Sequence, residues 1–126
     1  MPEQVIPFEN LRNKDVSLVG GKNASLGEMI SQLQANGVRV PTGFATTASA
    51  FNEFLEHDSL GEKIEQQLEG LDIEDVSLLA AVGKKIRQWI IKTPFSESLN
   101  QHIEKHYDEL IKKSAKGTTF AVRSSA

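Results

Sequence analysis

An α+β fold, with helices layered on a small sheet, is predicted by three observations. Apolar residues recur at helical spacing through the middle of the chain. Short β-prone runs flank that stretch, at "VSLVGG", "GFATT" and "TTFAVRSS". No repeat, low-complexity tract or linker divides the 126 residues, a length suited to one domain or a piece of one.

Taken in order, residues 5–19 read as irregular or short-strand structure, with "VSLVGG" a strand followed by a tight turn. Asn23 is placed to cap a helix. Leu26, Met29, Ile30 and Leu33 then fall at i, i+3, i+4 and i+7 and share one helical face. Gly37 stands where a helix end needs a left-handed residue. Val38 and Val40 alternate with Arg39, Pro41 excludes a helix, and Gly43 with Phe44 marks a turn into a second short strand. Thr47 can cap the next helix, which lines up Ala48, Phe51 and Leu55.

Residues 59–70 form a weaker helix, polar and rich in Glu and Gln, ended by Gly70. After Asp75 a stronger one presents Val76, Leu79, Val82, Ile86 and Ile90, tolerates Gly83, and stops at Thr93-Pro94. A further helix from about Ser96 sets Leu99, Ile103, Tyr107 and Leu110 on one side and ends near Gly117. "TTFAVRSS" reads as a strand, with Phe120 and Val122 facing one way and Ala121 and Arg123 the other. That strand is expected to carry an unpaired edge.

Bulk properties exclude several classes. A formal charge of −3 argues against nucleic acid binding through a basic surface. The absence of cysteine removes disulfide scaffolds, CxxC redox pairs and thiolate metal sites, and fits a reducing cytoplasm. "MPEQVIPFEN" lacks the basic and apolar regions of a signal peptide, and no apolar run is long enough for a membrane-spanning helix. The chain ends in an apolar, β-prone run without a closing turn, so it is expected to be part of a longer protein.

"GGK" opening a helix has the chemistry of a phosphate cradle. Glycines let backbone N–H groups approach an anion, the helix N-terminus supplies unpaired donors, and lysine adds a point charge. Yet the first glycine of a Walker A loop would fall on Val16, and Asn23 replaces the expected Ser or Thr. On spacing alone, a phosphate site and a plain turn both stand. Arg123, at a strand's end beside two serines, fits either a phosphate contact or a charge that guards an edge strand.

The remaining polar residues read as surface. "HIEKH" puts His102 and His106 four apart, but Ile103 occupies the position where a metalloprotease needs Glu, so both read as exposed helix residues. His57 stands alone near a helix end. The carboxylates lie mostly opposite the apolar positions, as solvated faces with some i,i+4 pairs. Trp89 reads as a core or domain-contact residue.

"DVSLVGGKNASLGEMI", "GVRVPTGFATTASAFNEFL", "IRQWIIKTPF" and "FAVRSSA" together resemble the start of the phosphoenolpyruvate synthase (pyruvate, water dikinase) family, from about residue 8 to 126. Each block alone also fits pyruvate, phosphate dikinase and related phosphotransferases; "GGKNASLGEM" with "RQWI" and "TPF" is closer to the synthases. The resemblance implies that residues 1–126 are a truncated N-terminal part of an ATP-grasp nucleotide-binding domain of the dikinase type. It implies a cytoplasmic enzyme that turns ATP, pyruvate and water into AMP, phosphoenolpyruvate and phosphate through a phosphohistidine, with Mg2+.

By the same resemblance, Lys22 of the GGK motif and Arg123 of A-V-R-S-S contact the ATP phosphates, with Gly20 and Gly21 allowing close backbone approach. Ser124 and Ser125 would contribute less. The family continues T-A-E-D where this chain reaches Ala126, so the metal ligands, adenine pocket, phosphohistidine domain and pyruvate barrel are expected outside it. No catalytic residue is expected within the chain, and alone it should not turn over. A non-catalytic nucleotide-binding or regulatory module is the alternative from another class.

Overall fold

β1 (Val5–Pro7) and β2 (Phe44–Thr46) pair antiparallel in the computed structural model, which describes residues 2–125. Val5 pairs with Thr46, Ile6 with Ala45 and Pro7 with Phe44, and among the described residues these strands make the whole sheet. The helices are α1 (Val16–Val19), α2 (Gly21–Leu33), α3 (Ala48–Glu56), α4 (Leu60–Leu68), α5 (Val76–Lys92) and α6 (Glu97–Lys113). The fold is therefore α+β, mostly helical with a small two-stranded sheet. The chain divides into two units, one running up to Phe51 and resuming at Glu97, the other Asn52–Ser96.

In the first unit, β1 is buried on both faces. Adjacent strand residues point to opposite sides, so Val5 and Ile6 enter different cores. Ile6 packs with Leu11, Val19, Ala24 and Ala45, while Val5 packs with Ala50, Leu99, Phe44 and Ile103. α2 thus covers one face of the sheet, and α6 with the start of α3 covers the other. Thr47 is buried and caps α3 as expected: its Oγ1 accepts from the Ala50 N–H at 3.1 Å and donates to the Glu3 carbonyl at 2.7 Å. Buried Gln4 is held by Ser98 Oγ, which donates to its Oε1 at 2.9 Å, and by His102 Nδ1 at 2.7 Å.

α2 approaches the preceding turn so closely that Gly27 has no room for a side chain. A Cβ there would lie 2.4 Å from the Leu11 carbonyl oxygen, and Leu11 itself is 1% exposed. On the outer side of the same helix, the Glu28 carboxylate accepts from the Asn13 N–H at 3.2 Å and from Gln32 Nε2 at 3.0 Å. The Asn13 bond foremost, then Gln32, with a smaller pull from Arg12, hold the Glu28 carboxyl below its ordinary range. A depressed carboxyl stabilises the fold above its unfolded-state value, and that contribution fades as pH falls through the folded value. An NMR titration of Glu28 is expected to give a midpoint below that of an unstructured glutamate, and Glu28→Gln should lessen the fall of thermal stability towards acid pH. A midpoint at or above the ordinary value is the contrary result.

In the second unit, Asp75 caps α5 by accepting from the Leu78 N–H at 3.1 Å, and Thr93-Pro94 ends it. Phe54 and Phe95 meet edge to face at 5.8 Å, and Lys85 Nζ sits 5.1 Å from the Trp89 ring centre. Gly70 follows α4 in the left-handed conformation expected of a stop.

Four expectations change. "VSLV" is the helical turn α1, because Val19 turns inward to a core with Leu11 and Ala24 that a strand would not reach. Residues 38–40 form no strand, and Val38 is 48% exposed. "TTFAVRSS" forms neither helix nor strand and finds no ladder among the described residues, and Val122 is 98% exposed; Ala126 lies outside those residues. The apolar stripe of α5 is half-buried at Val82 and Ile86 but open at Val76, and no α5 residue is fully buried. In addition, α6 stops at Lys113, before Gly117.

Candidate functional site

The break between α1 and α2 is made by Gly20. Its φ of 84° and ψ of 165° lie in a region open essentially to glycine alone. The Gly20 N–H closes α1 on the Val16 carbonyl at 2.8 Å, and the Gly20 carbonyl opens α2 by accepting from Ala24 at 3.1 Å. The N–H groups of Gly21, Lys22 and Asn23 therefore precede the first bond within α2, and no side chain caps this end. The helix dipole adds partial positive charge at the same place. Lys22 is exposed on this first turn.

Asn23 is not the helix cap that its position in the sequence indicates. It lies inside the first turn, because Gly20 starts the helix three residues earlier. Its side-chain Nδ2 donates to the Val19 carbonyl at 2.8 Å and to Ser125 Oγ at 3.1 Å. The second bond joins residues 102 positions apart and brings the segment carrying Arg123 and Ser124 to the turn carrying Lys22. The same segment is held further back by Phe120, whose ring meets Tyr107 edge-on at 5.4 Å.

Of the predicted phosphate contacts, Gly20, Gly21 and Lys22 thus form one contiguous helix start. Arg123 and Ser124 reach its neighbourhood through Ser125. Neither Lys22 nor Arg123 forms an ion pair with a described residue. Exposed cations and open backbone donors, with no carboxylate of a described residue paired to Lys22 or Arg123, are chemically suited to an anion. The tie from Asn23 to Ser125 is the feature that local sequence patterns do not reveal.

The histidines belong elsewhere. His102 and His106 hold α6 locally, His102 on Gln4 and His106 Nδ1 on the His102 carbonyl at 2.8 Å, and the His106 ring lies 5.7 Å from that of Phe44. His57 Nε2 is 3.3 Å from Asp58 Oδ2 on the surface of the second unit. That unit has a cavity of about 190 Å3 lined by His57, Lys63, Trp89 and Lys92 among others, and none of the predicted phosphate contacts lines it. Among the described residues, no three His, Asp or Glu side chains gather as a metal site, and no helix is long and apolar enough to cross a membrane.

Comparison with known proteins bears on this helix start and the terminal segment together. The family model described as "Pyruvate phosphate dikinase, AMP/ATP-binding domain" matches residues 16–126. A phosphoenolpyruvate synthase of Neisseria meningitidis is 58% identical over 123 residues, covering 97% of this chain and 16% of that protein. The phosphoenolpyruvate synthase of Escherichia coli is 50% identical over 122 residues, 97% of this chain and 15% of that protein. A probable phosphoenolpyruvate synthase of Staphylothermus marinus is 42% identical over 125 residues, again 97% of this chain and 14% of that protein. The chain spans about one-sixth of the length of these relatives.

Proposed function

Because this chain belongs to the pyruvate phosphate dikinase AMP/ATP-binding domain family, we propose that it is the ATP-binding portion of a phosphoenolpyruvate synthase. The complete enzyme converts ATP, pyruvate and water to AMP, phosphoenolpyruvate and phosphate by way of a phosphohistidine. Residues 1–126 are the N-terminal part of its ATP-grasp domain, and the protein works in the cytoplasm. The observation that carries this reading is the hydrogen bond from Asn23 to Ser125, which joins the glycine-lysine helix start to the arginine-serine segment.

In this reading the chain's residues bind and orient the triphosphate. The backbone N–H groups after Gly20 and the Lys22 ammonium take phosphate oxygens from the helix side. Arg123 offers its planar fork from the facing segment, with Ser124 as a further donor. Phosphoryl transfer depends mainly on such positioning and charge neutralisation. Mg2+ supplies further charge neutralisation when it enters with ATP. The named residues include no carboxylate, so they suit the phosphate anion, and the metal's ligands come from elsewhere in the enzyme, as do the phosphohistidine and the pyruvate-binding barrel.

Incubating the complete protein with ATP, Mg2+ and pyruvate is expected to yield AMP, phosphoenolpyruvate and inorganic phosphate in equal amounts. Dependence on added phosphate, with release of pyrophosphate, would assign it to the phosphate-using dikinases. Nucleotide binding without AMP formation would reduce it to a binding module.

A further inference from the structure

Both N–H hydrogens of the Asn23 carboxamide are engaged. The Val19 carbonyl can only accept, so the amide nitrogen must face it, and the remaining hydrogen goes to Ser125 Oγ. In an unbroken helix the Val19 carbonyl would take the Asn23 backbone N–H. Gly20 turns the backbone away, and the side chain four residues on takes that carbonyl instead. Asn23 therefore secures the break that opens the helix start and grips the distant segment with the same nitrogen.

We infer that Asn23 is a positioning residue that fastens the Arg123 segment to the Lys22 helix turn, so that both cations address one polyphosphate. The inference rests on the phosphate-site reading above. Lys22 is the immediate neighbour of Asn23, and Arg123 lies two residues before Ser125. Two residues of extended chain reach about 7 Å at most, so this anchor confines Arg123 to the surroundings of the helix start. Residues 121–125 are exposed, without helix or strand. Without the anchor, the ordering of that segment would fall on ATP binding itself.

The test is a double-mutant cycle in the complete protein, read by equilibrium binding of Mg-ATP. Ser125→Ala is expected to weaken binding about fivefold, the size of one neutral hydrogen bond, and Asn23→Ala at least as much, because it also removes the bond to Val19. The double variant is expected to lose no more than Asn23→Ala alone, because that substitution already removes the bond to Ser125. Ser125→Thr, which keeps the hydroxyl, should restore binding to within about twofold of the parent. Thermal stability separates the two bonds of Asn23. Asn23→Ala should lower it through Val19, whereas Ser125→Ala should leave it unchanged.

Parent-like affinity for Ser125→Ala, or single losses that multiply in the double variant, would overturn the fastening role. Lys22→Met and Arg123→Met serve as the reference pair. If both keep the parent affinity, the phosphate-site reading fails and the inference fails with it. If they lose affinity while the cycle shows no coupling, the fastening role alone is wrong.

Discussion

Lys22→Met and Arg123→Met in the complete protein are each expected, on the proposed function, to slow ATP-dependent phosphorylation of the proposed acceptor histidine by about a hundredfold or more. Removing one preorganised donor from a developing anion costs about 10²–10³ in rate, and an arginine aimed at a transferring phosphoryl group accounts for more. Both side chains are exposed and form no ion pair with a described residue, so neither is committed to holding the fold. Stability should change by less than about 0.5 kcal/mol, the range of ordinary surface substitutions. Single-turnover phosphorylation with rapid quenching, beside thermal unfolding, checks both points. Unchanged single-turnover rates in the two variants would remove the phosphate-contact assignment.

Gly27→Ala should have the largest effect on stability, and in the direction opposite to helix propensity. Alanine in a helix interior ordinarily gains about 1 kcal/mol over glycine. At Gly27 the added Cβ meets backbone, at 2.4 Å from the Leu11 oxygen and 2.7 Å from the Leu11 carbonyl carbon. α2 would have to move off the Leu11 turn, so a net loss of about 2 kcal/mol or more is expected from overpacking. Gly83→Ala is the matched control. Its Cβ would meet only the end of the Arg87 side chain, at 3.1 Å, which can swing aside, and the expected change is a gain of about 0.5–1 kcal/mol. Denaturant unfolding of the two variants should move the midpoints in opposite directions; a stabilised Gly27→Ala would contradict the close approach.

Much of this fold is legible in the sequence because local chemistry sets it. Thr47 and Asp75 cap the helices they precede, Gly70 and Thr93-Pro94 stop the helices they follow, and β2 begins beside Gly43. Each of these depends on neighbours within a few residues. The runs expected as strands that form none depend on distant ones. Strand propensity describes a fit to a pleated, half-buried surface: Val19 finds its core by turning helical, and Phe120 packs on Tyr107 without a ladder. At the candidate site, Gly20, Gly21 and Lys22 are legible as a glycine-lysine helix start, and the resemblance pairs them with Arg123. How the two are joined is a side-chain contact across 102 positions, and no periodicity encodes it. Asn23 misleads for a related reason. Its residue type fits a cap, but Gly20 takes the cap position because only glycine adopts the required backbone.

The first unit is discontinuous in the chain, and this sets an order of events during synthesis. Val5 and Ala50 share a core with Leu99, and Gln4 bonds to Ser98 across 94 positions. As the polypeptide leaves the ribosome at about 5–20 residues per second, β1 and β2 can pair early, with α2 over one face. Their other face must wait for α6, with the whole Asn52–Ser96 stretch translated in between. During that interval Val5 and Phe44 are open to water or to chaperones. The nascent chain should pass from protease-sensitive to protected only once α6 has cleared the exit tunnel.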